Sequence, residues 1–319
     1  MAEKYSYHDR LTQCIEQIET VIVGKREMIL MSLTSLLSGG HLLIEDVPGV
    51  GKTMLVRALA KTLGCDFSRI QFTPDLLPSD VLGVSIYQPK TETFNYMKGP
   101  VMSHIVLADE INRTSPKTQA ALLEAMEEHS VTIDGKTMPI EEPFFVMATQ
   151  NPVEYEGTYP LPEAQLDRFL MKVNMGYPNF DEELMLLSMN EKKQPVEQLT
   201  AILSQEDVLK IRKEVDDVYV SDIVKRYILE LVRATRVAHQ VALGVSPRGG
   251  INLLKATKAY AYLMGREYVT PDDVLALVPF VFCHRMLLTD DALYGDVTVE
   301  HVITDIISKV DIPIEADRL

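Results

Sequence analysis

A glycine-containing turn lies between an apolar run and a helical pattern near the start of the chain. Residues 41–44 are mostly apolar, and residues 45–53 read Glu-Asp-Val-Pro-Gly-Val-Gly-Lys-Thr. Two glycines in such a turn allow backbone N–H groups to converge on phosphate oxygens, and the N-terminus of the following helix adds partial positive charge. The stretch therefore predicts a phosphate-binding loop, with ATP or GTP as its ligand.

Two side chains of this loop suit nucleotide chemistry. Lys52 can reach the β and γ phosphates, and Thr53 offers a hydroxyl to Mg²⁺, which prefers oxygen ligands. The GxxxxGK[ST] consensus has glycine where this chain has Asp46, so the match is incomplete. Taken alone, the loop could also be a strand-to-helix turn with a surface lysine, but the rest of the chain argues against that interpretation.

A pair of carboxylates, Asp109 and Glu110, ends the apolar run at residues 105–108. Side chains alternate along a strand, so adjacent acids point in different directions. Asp109 could then hold Mg²⁺ through its waters, while Glu110 orients an attacking water as the general base. The alternative is a solvated strand end, which the phosphate loop upstream disfavours.

Three polar side chains further along the chain could contact phosphate. Asn151 follows an apolar run and could hydrogen-bond the γ-phosphate or the attacking water, although asparagine before proline is also common in plain turns. Arg168 precedes another apolar run, and Arg248 lies in the first turn of a helix that Ser246 is expected to cap. An arginine there opposes the helix dipole, which makes sense if it meets phosphate charge. For either arginine alone, a surface salt bridge is the default interpretation.

Strand-like and helical patterns alternate in the first half of the chain. Residues 9–37 have helical spacing that is interrupted at Val23-Gly24-Lys25, which predicts two helices around a turn. The alternation beyond them predicts an α/β fold with a mainly parallel sheet between helices, whose ligands lie at the carboxyl ends of the strands. The short apolar runs are residues 67–72, 105–108, 144–149 and 169–175.

Two segments interrupt this alternation. Residues 73–98 are rich in Pro, Asp and Thr and are long for a simple connection in a compact domain. Residues 131–138 place Asp134-Gly135 between alternating residues, which predicts a tight hairpin. Either segment could contact a client, and the sequence leaves that open.

The composition changes at residues 176–179, and the pattern is then almost wholly helical. Helix start signals recur at Ser204, Ser246 and Thr270. We therefore predict an α/β nucleotide-binding domain over residues 1–178 and a helical domain over residues 179–319.

The overall composition limits the possible partners and location. The 319 residues include 31 Lys plus Arg against 46 Asp plus Glu, and the formal net charge is −15. This balance argues against a broad nucleic-acid surface, although a local basic pore could exist. The three distant cysteines, the absence of a signal-peptide pattern and the lack of a run of about 20 apolar residues predict a cytoplasmic protein without a membrane span.

Taken together, these motifs resemble those of AAA+ ATPases, and more narrowly those of the MoxR family, over nearly the whole chain. MoxR-like proteins accept a residue other than glycine at the position of Asp46. The segments that carry the resemblance are residues 45–53, Gly99-Pro100, Asp109-Glu110, Asn112-Arg113, residues 119–126 and residues 164–169.

The resemblance implies a role for each candidate residue. Glu110 would be the catalytic Walker B carboxylate and Asn151 the sensor 1 residue, while Arg168 would be the arginine finger and Arg248 the sensor 2 residue. Thr53 and Asp109 would hold the metal ion. The nucleotide would contact the Walker A residues Pro48, Gly49, Val50, Gly51, Lys52, Thr53 and Met54, together with Val23 and Gly24 at the adenine pocket.

The resemblance also implies how the remaining segments are used. Residues 73–98 would be the helix-2 insert and residues 131–138 the pre-sensor 1 insert, both commonly directed at the central pore of a ring. An extra helical insert within residues 180–217 can reposition the helical lid, so Arg248 could serve its own subunit or a neighbour. Arg113 could belong to the subunit interface.

The function implied by the resemblance is Mg-dependent ATP hydrolysis by a ring, most often a hexamer, that remodels other proteins. Partners with von Willebrand factor A domains and a role in complex assembly or metal-cofactor insertion would be expected. One alternative is a nucleic-acid motor, which the acidic composition disfavours. The other is a non-catalytic nucleotide switch, which Glu110, Asn151 and Arg168 disfavour.

Overall fold

A five-stranded parallel sheet forms the centre of the computed structural model, which describes residues 7–47, 49–151, 158–190 and 195–313. The spatial order of its strands is β2-β5-β8-β1-β9, and every neighbouring pair runs parallel. The strands are β1 (Leu42–Glu45), β2 (Phe67–Gln71), β3 (Gly83–Gln88), β4 (Thr93–Lys98), β5 (Ile105–Asp109), β6 (Ser130–Ile133), β7 (Lys136–Pro139), β8 (Phe145–Gln150), β9 (Met171–Val173), β10 (Val241–Leu243) and β11 (Leu287–Leu288).

Thirteen α-helices and four short 3₁₀ helices accompany the strands in the described part of the chain. No helix there is both long and apolar enough to cross a bilayer. The helices are α1 (His8–Glu19), α2 (Arg26–Leu37), α3 (Lys52–Thr62), α4 (Pro78–Leu82), α5 (Pro116–Glu128), α6 (Glu163–Leu166), α7 (Phe180–Asn190), α8 (Gln205–Asp216), α9 (Asp222–Val237), α10 (Pro247–Leu263), α11 (Pro271–Phe282), α12 (Asp290–Tyr294) and α13 (Val299–Lys309).

The predicted α/β fold is confirmed, and each of the four apolar runs forms a strand of the central sheet. Strands β1, β5 and β8 are buried on both faces, which explains why they read as continuous apolar runs instead of alternating ones. Alternate side chains enter two separate cores. In β8, for example, Phe145 and Met147 face the larger core, whereas Val146 and Ala148 face the smaller one.

The two cores are built from different parts of the chain. The smaller core is built from the sheet, α5 and the segments around the two insertions. The larger core continues from the sheet through α1, α2 and α3 into the helical C-terminal part, where α2 packs against α10. The predicted pair of N-terminal helices is therefore present, and it joins the sheet to the C-terminal helices.

Both segments that interrupt the alternation of strands and helices contain an antiparallel hairpin. Residues 73–98 form α4 and the β3–β4 hairpin, whose side chains Phe94, Met97 and Tyr87 are exposed. The β6–β7 hairpin turns at Asp134 and Gly135, which both have positive φ, as the Asp-Gly signal predicts.

The C-terminal part is helical, and three of its helices begin where the sequence predicts. Ser204, Ser246 and Thr270 each accept a hydrogen bond from the backbone N–H three residues later, which satisfies an otherwise unpaired donor. The short antiparallel pair β10–β11 is an addition that the sequence pattern did not indicate. The boundary that we propose between the two domains, at residue 178, falls between β9 and α7.

His41 fixes the start of β1, the strand that leads into the phosphate loop. Its Nδ1 accepts a hydrogen bond from the Val146 backbone N–H at 3.0 Å, so Nε2 carries the proton and donates to the Met126 carbonyl at 3.1 Å. Burial lowers the pKa of His41 to about 4, because the hydrogen bond to Met126 offsets only part of the desolvation. The nearby His129 and Arg212 also lower this pKa, whereas the charge of Glu142 raises it. The ring is therefore neutral at pH 7 and ties β1 to α5 and β8.

We predict that His41 makes the fold acid-sensitive. Its folded pKa of about 4 lies below the usual value of 6.5, so its contribution is complete above pH 6.5 and is lost as the pH falls toward 4. The expected loss between pH 7 and pH 5 is about 2 kcal/mol of unfolding free energy.

Urea unfolding of the wild type and of His41→Gln at both pH values measures this contribution. The variant should be less stable at pH 7, but its stability should fall less between the two pH values. Equal losses in the two proteins would show that His41 does not titrate as described.

Candidate active site

A cleft of about 350 Å³ opens at the carboxyl ends of β1, β2, β5 and β8. Parallel strands bring residues that are distant in sequence to this one edge of the sheet. Most of the predicted nucleotide-site residues meet here. The lining residues are Gly49, Gly51, Lys52, Thr53, Met54, Arg69, Gln71, Asp109, Glu110, Thr149 and Asn151.

The phosphate loop depends on its two glycines for its shape. Gly49 and Gly51 have φ of 89° and 96°, a left-handed conformation that other residues rarely adopt. Helix α3 begins at Lys52, directly after the second glycine. The Lys52 ammonium donates to the carbonyls of Asp46 at 3.1 Å and Val47 at 3.2 Å, which holds it over the loop.

The hydrogen bonds of Asp46 explain why a carboxylate replaces the consensus glycine in this loop. Its Oδ1 accepts from the Val47 backbone N–H at 2.8 Å, and its Oδ2 accepts from the Gly176 N–H at 2.6 Å. The side chain is nearly buried, at 8% exposure. A carboxylate at this position therefore ties the start of the phosphate loop to the segment that leaves β9, a connection that glycine could not make.

The Thr149 hydroxyl connects the two adjacent carboxylate residues. It donates to Asp109 Oδ1 at 2.7 Å and accepts from the Glu110 backbone N–H at 2.8 Å. Arg69 contacts the other oxygen of Asp109 at 2.7 Å. Glu110 itself has φ of 59°, so the chain turns sharply after β5 and both carboxylates reach the cleft.

The Glu110 carboxylate is held by two side chains. Gln71 Nε2 donates to Glu110 Oε2 at 2.7 Å, and Arg113 lies 3.4 Å from the same oxygen. Arg113 therefore lies beside the proposed general base. This contact was not predicted, because the resemblance suggested only that Arg113 could belong to the subunit interface. Arg69 and Gln71 were not predicted, because only the pairing of Gln71 with Asp109 across β2 and β5 brings them to the cleft.

Asn151 lies at the end of β8 and lines the cleft, as its predicted role requires. It is 7% exposed, and its backbone carbonyl accepts from Asn112 Nδ2 at 3.4 Å. Pro48 of the phosphate loop lies outside the described residues.

Three other predicted nucleotide contacts are not among the residues that line the cleft. Val50 is partly buried against the larger core. Val23 is partly buried, and Gly24 has φ of 71° in the turn between α1 and α2. A Cβ on Gly24 would meet the Glu182 side chain at 2.0 Å, so this turn packs closely against the first part of α7.

Arg168 and Arg248 also lie outside the cleft, and the structure brings them together. Arg168 contacts Glu127 Oε2 at 3.1 Å, and Arg248 contacts Glu127 Oε1 at 3.0 Å. Arg168 follows α6, Arg248 lies in the first turn of α10, and Glu127 lies near the end of α5. Glu127 is another residue that the sequence did not predict.

The cleft residues fit a hydrated Mg²⁺ ion. The Thr53 hydroxyl and the carboxylates of Asp109 and Glu110 all line it, and these are the hard oxygen ligands that Mg²⁺ prefers. Thr53 and Asp109 are the two residues of the described site that we expected to hold the ion. Arg69 donates a hydrogen bond to Oδ2 of Asp109, and Thr149 donates one to Oδ1.

Comparisons with known proteins agree with this geometry. Residues 41–171 match the family model described as ATPase family associated with various cellular activities (AAA), and residues 233–306 match the AAA lid domain. A crystal structure of a Cytophaga hutchinsonii protein, described as a candidate ATPase, superimposes with a TM-score of 0.91 at 42% identity. The similarity covers 98% of this chain and 97% of that chain.

Similar sequences extend over nearly the whole chain. The uncharacterized protein YeaC of Bacillus subtilis is 58% identical, over 99% of this chain and 98% of YeaC. Chaperone MoxR1 of Mycobacterium tuberculosis is 43% identical, over 95% of this chain and 82% of MoxR1. Protein MoxR of Paracoccus denitrificans is 31% identical, over 89% of this chain and 90% of that protein.

The fold, the cleft and these matches define an ATPase of the AAA+ class, as the motifs predicted. Within that class, the chain belongs to the MoxR family.

We predict that restoring the consensus glycine at Asp46 destabilises this protein. Asp46→Gly removes two charge-assisted hydrogen bonds, so the free energy of unfolding should fall by about 1 to 3 kcal/mol. Asp46→Asn keeps one side-chain acceptor and should lose less. Chemical denaturation of the three proteins measures the difference, and a glycine variant as stable as the wild type would contradict the structural role of Asp46.

Proposed function

We propose that this protein is a Mg-dependent ATPase that forms a ring and remodels client proteins. The observation that carries this proposal is a division of the predicted site. Lys52, Asp109, Glu110 and Asn151 share one cleft, whereas Arg168 and Arg248 form a separate pair on Glu127. A single subunit therefore presents the two parts of an ATPase site at two places.

The cleft residues have different roles in hydrolysis. Lys52 exchanges its contacts with loop carbonyls for the β and γ phosphates of ATP, and backbone N–H groups of the loop bind the same oxygens. Glu110 accepts a proton from the attacking water, and Gln71 holds this carboxylate in place. Asn151 orients the water or the γ-phosphate.

Thr53 and Asp109 would hold the Mg²⁺ ion beside the phosphates. The bound ion would neutralise part of the charge on the phosphate oxygens. Thr149 orients Asp109 for this task, and Arg69 supplies a compensating charge when the carboxylate is not used by the ion.

The two arginines supply positive charge to the γ-phosphate of the next subunit. Arginines in this role grip phosphate oxygens with parallel hydrogen bonds and can raise turnover roughly 10³- to 10⁵-fold. A head-to-tail contact that closes on itself produces a ring, for which we propose six subunits. Arg248 then belongs to the neighbour's site, because in its own subunit it lies with Arg168 and not in the cleft.

A protein client is the substrate class that we propose for the ring. The relative from Mycobacterium tuberculosis is named Chaperone MoxR1. The β3–β4 hairpin exposes Phe94, Met97 and Tyr87, which suit contact with apolar protein segments. The net charge of −15 disfavours nucleic acid. From the family resemblance, we propose a cytoplasmic location and a von Willebrand factor A domain partner in complex assembly or metal-cofactor insertion.

We predict that Glu110→Gln and Lys52→Ala separate binding from hydrolysis. Glu110→Gln removes the general base, so hydrolysis should fall at least about 100-fold while ATP stays bound. Lys52→Ala removes a phosphate contact, so nucleotide affinity itself should fall. Steady-state hydrolysis and nucleotide titration measure the two effects. Rapid turnover by Glu110→Gln, or unchanged affinity of Lys52→Ala, would contradict the assigned roles.

We also predict that specific activity rises with protein concentration. Dilution separates the subunits, so each cleft loses the arginines of its neighbour. Arg168→Ala should stay nearly inactive at every concentration, while Arg226→Ala, an exposed arginine on α9, should behave as the wild type does. Hydrolysis per subunit measured over a wide concentration range tests this, and a flat wild-type profile would overturn the ring mechanism.

A further inference from the structure

Glu127 is the shared partner of the two arginines. Each of its carboxylate oxygens contacts one guanidinium, Oε2 with Arg168 at 3.1 Å and Oε1 with Arg248 at 3.0 Å. The three residues come from three separate parts of the fold, namely α5, the turn after α6 and the first turn of α10. Glu127 therefore joins the sheet-forming part of the chain to the helical part at this point.

The charges explain why the two arginines need such a partner. Two guanidinium groups that contact the same carboxylate repel each other, and Arg248 also lies at the positive end of α10. Glu127 lies one residue before the end of α5, where the helix dipole is negative. The carboxylate and the helix end together offset the repulsion, so the arginines can stay close to each other.

The contacts with Glu127 leave each arginine able to bind phosphate. Each guanidinium has five N–H donors on three nitrogens, and each uses one terminal nitrogen for Glu127. The side chains of Arg168 and Arg248 are 28% and 45% exposed, so a phosphate can approach them. Glu127 can therefore hold both groups while their other donors contact an anion.

The backbone next to the arginines is fixed by a second set of contacts. Asp167 accepts from Arg285 Nε at 2.6 Å and from the Ser246 hydroxyl at 3.3 Å. Arg285 is nearly buried, at 6% exposure, and it also donates to the Leu170 carbonyl at 3.1 Å. The turn that carries Arg168 and the cap of the helix that carries Arg248 are thus tied together. Glu127 then has to fix only the orientation of the two arginine side chains.

We propose that Glu127 is a positioning residue that holds Arg168 and Arg248 as one unit for the γ-phosphate of the neighbouring subunit. The proposal rests on the proposed function, because it requires the arginines to act on the nucleotide of the next subunit. Glu127 does not touch the nucleotide, and its effect on hydrolysis passes through the two arginines.

The experiment compares Glu127→Gln with Glu128→Gln in the full-length protein. Both changes remove one negative charge from the end of α5, but within the described part of the chain only Glu127 pairs with the arginines. A displacement of about 1 Å in a catalytic group can cost 10²-fold in rate. We expect kcat for ATP to fall about 10- to 100-fold in Glu127→Gln, with the ATP affinity and melting temperature close to those of Glu128→Gln.

A second comparison separates positioning from general support of the fold. Adding Glu127→Gln to the Arg168→Ala/Arg248→Ala variant should lower kcat no further, because the groups that Glu127 positions are gone. Glu127→Asp keeps the charge and should recover part of the rate. Wild-type or higher kcat in Glu127→Gln overturns the proposal, as does a further loss in the double-arginine background.

The outcome for Arg168→Ala shows which of the two proposals fails. If Arg168→Ala loses activity but Glu127→Gln does not, the arginines act without Glu127 and the shared site stands. If Arg168→Ala keeps full activity, the shared site falls, and the role of Glu127 falls with it.

Discussion

The shared edge of the parallel sheet is the constraint on which the site depends. Strands β1, β5 and β8 end side by side, so the groups that follow each strand meet although they are far apart in sequence. Lys52 follows β1 through the phosphate loop, Asp109 ends β5, and Asn151 follows β8. Thr149 strengthens this arrangement at the site, because its hydroxyl donates to Asp109 on the neighbouring strand. His41 ties β1 to β8 at the opposite edge of the sheet.

In the proposed mechanism, the positive charge of the site comes from two subunits. The cleft contains Lys52 beside the phosphate loop, and Arg69 and Arg113 already face the carboxylates of Asp109 and Glu110. Arg168 and Arg248, which we propose to contact the γ-phosphate, lie elsewhere on the subunit. Assembly and hydrolysis are therefore coupled in our account, since a cleft gains those charges only when another subunit docks.

The features that local sequence determines could be predicted. The phosphate loop, the Asp109-Glu110 pair and the Asp134-Gly135 turn each depend on adjacent residues, and all three occur where expected. The overall α/β fold followed from the alternation of short apolar runs and helical patterns. Asp46 departed from a consensus, and only its hydrogen bond to Gly176, across the end of β9, explains why the carboxylate is present.

The features missed from the sequence depend on tertiary contacts. Gln71 reaches Glu110 because β2 pairs with β5 in a particular register, which no local pattern specifies. Glu127 looks like an ordinary charged residue on an amphipathic helix until Arg168 and Arg248 are placed against it.

The most direct test of the shared site is to mix two inactive proteins. Lys52→Ala subunits keep their arginines but lack a working phosphate loop, and Arg168→Ala subunits have the opposite defect. In rings formed from equal amounts, about one contact in four joins an intact loop to an intact arginine, so about a quarter of wild-type hydrolysis should return. A mixture no more active than the average of its two components would contradict the account, because each site would then be complete within one subunit.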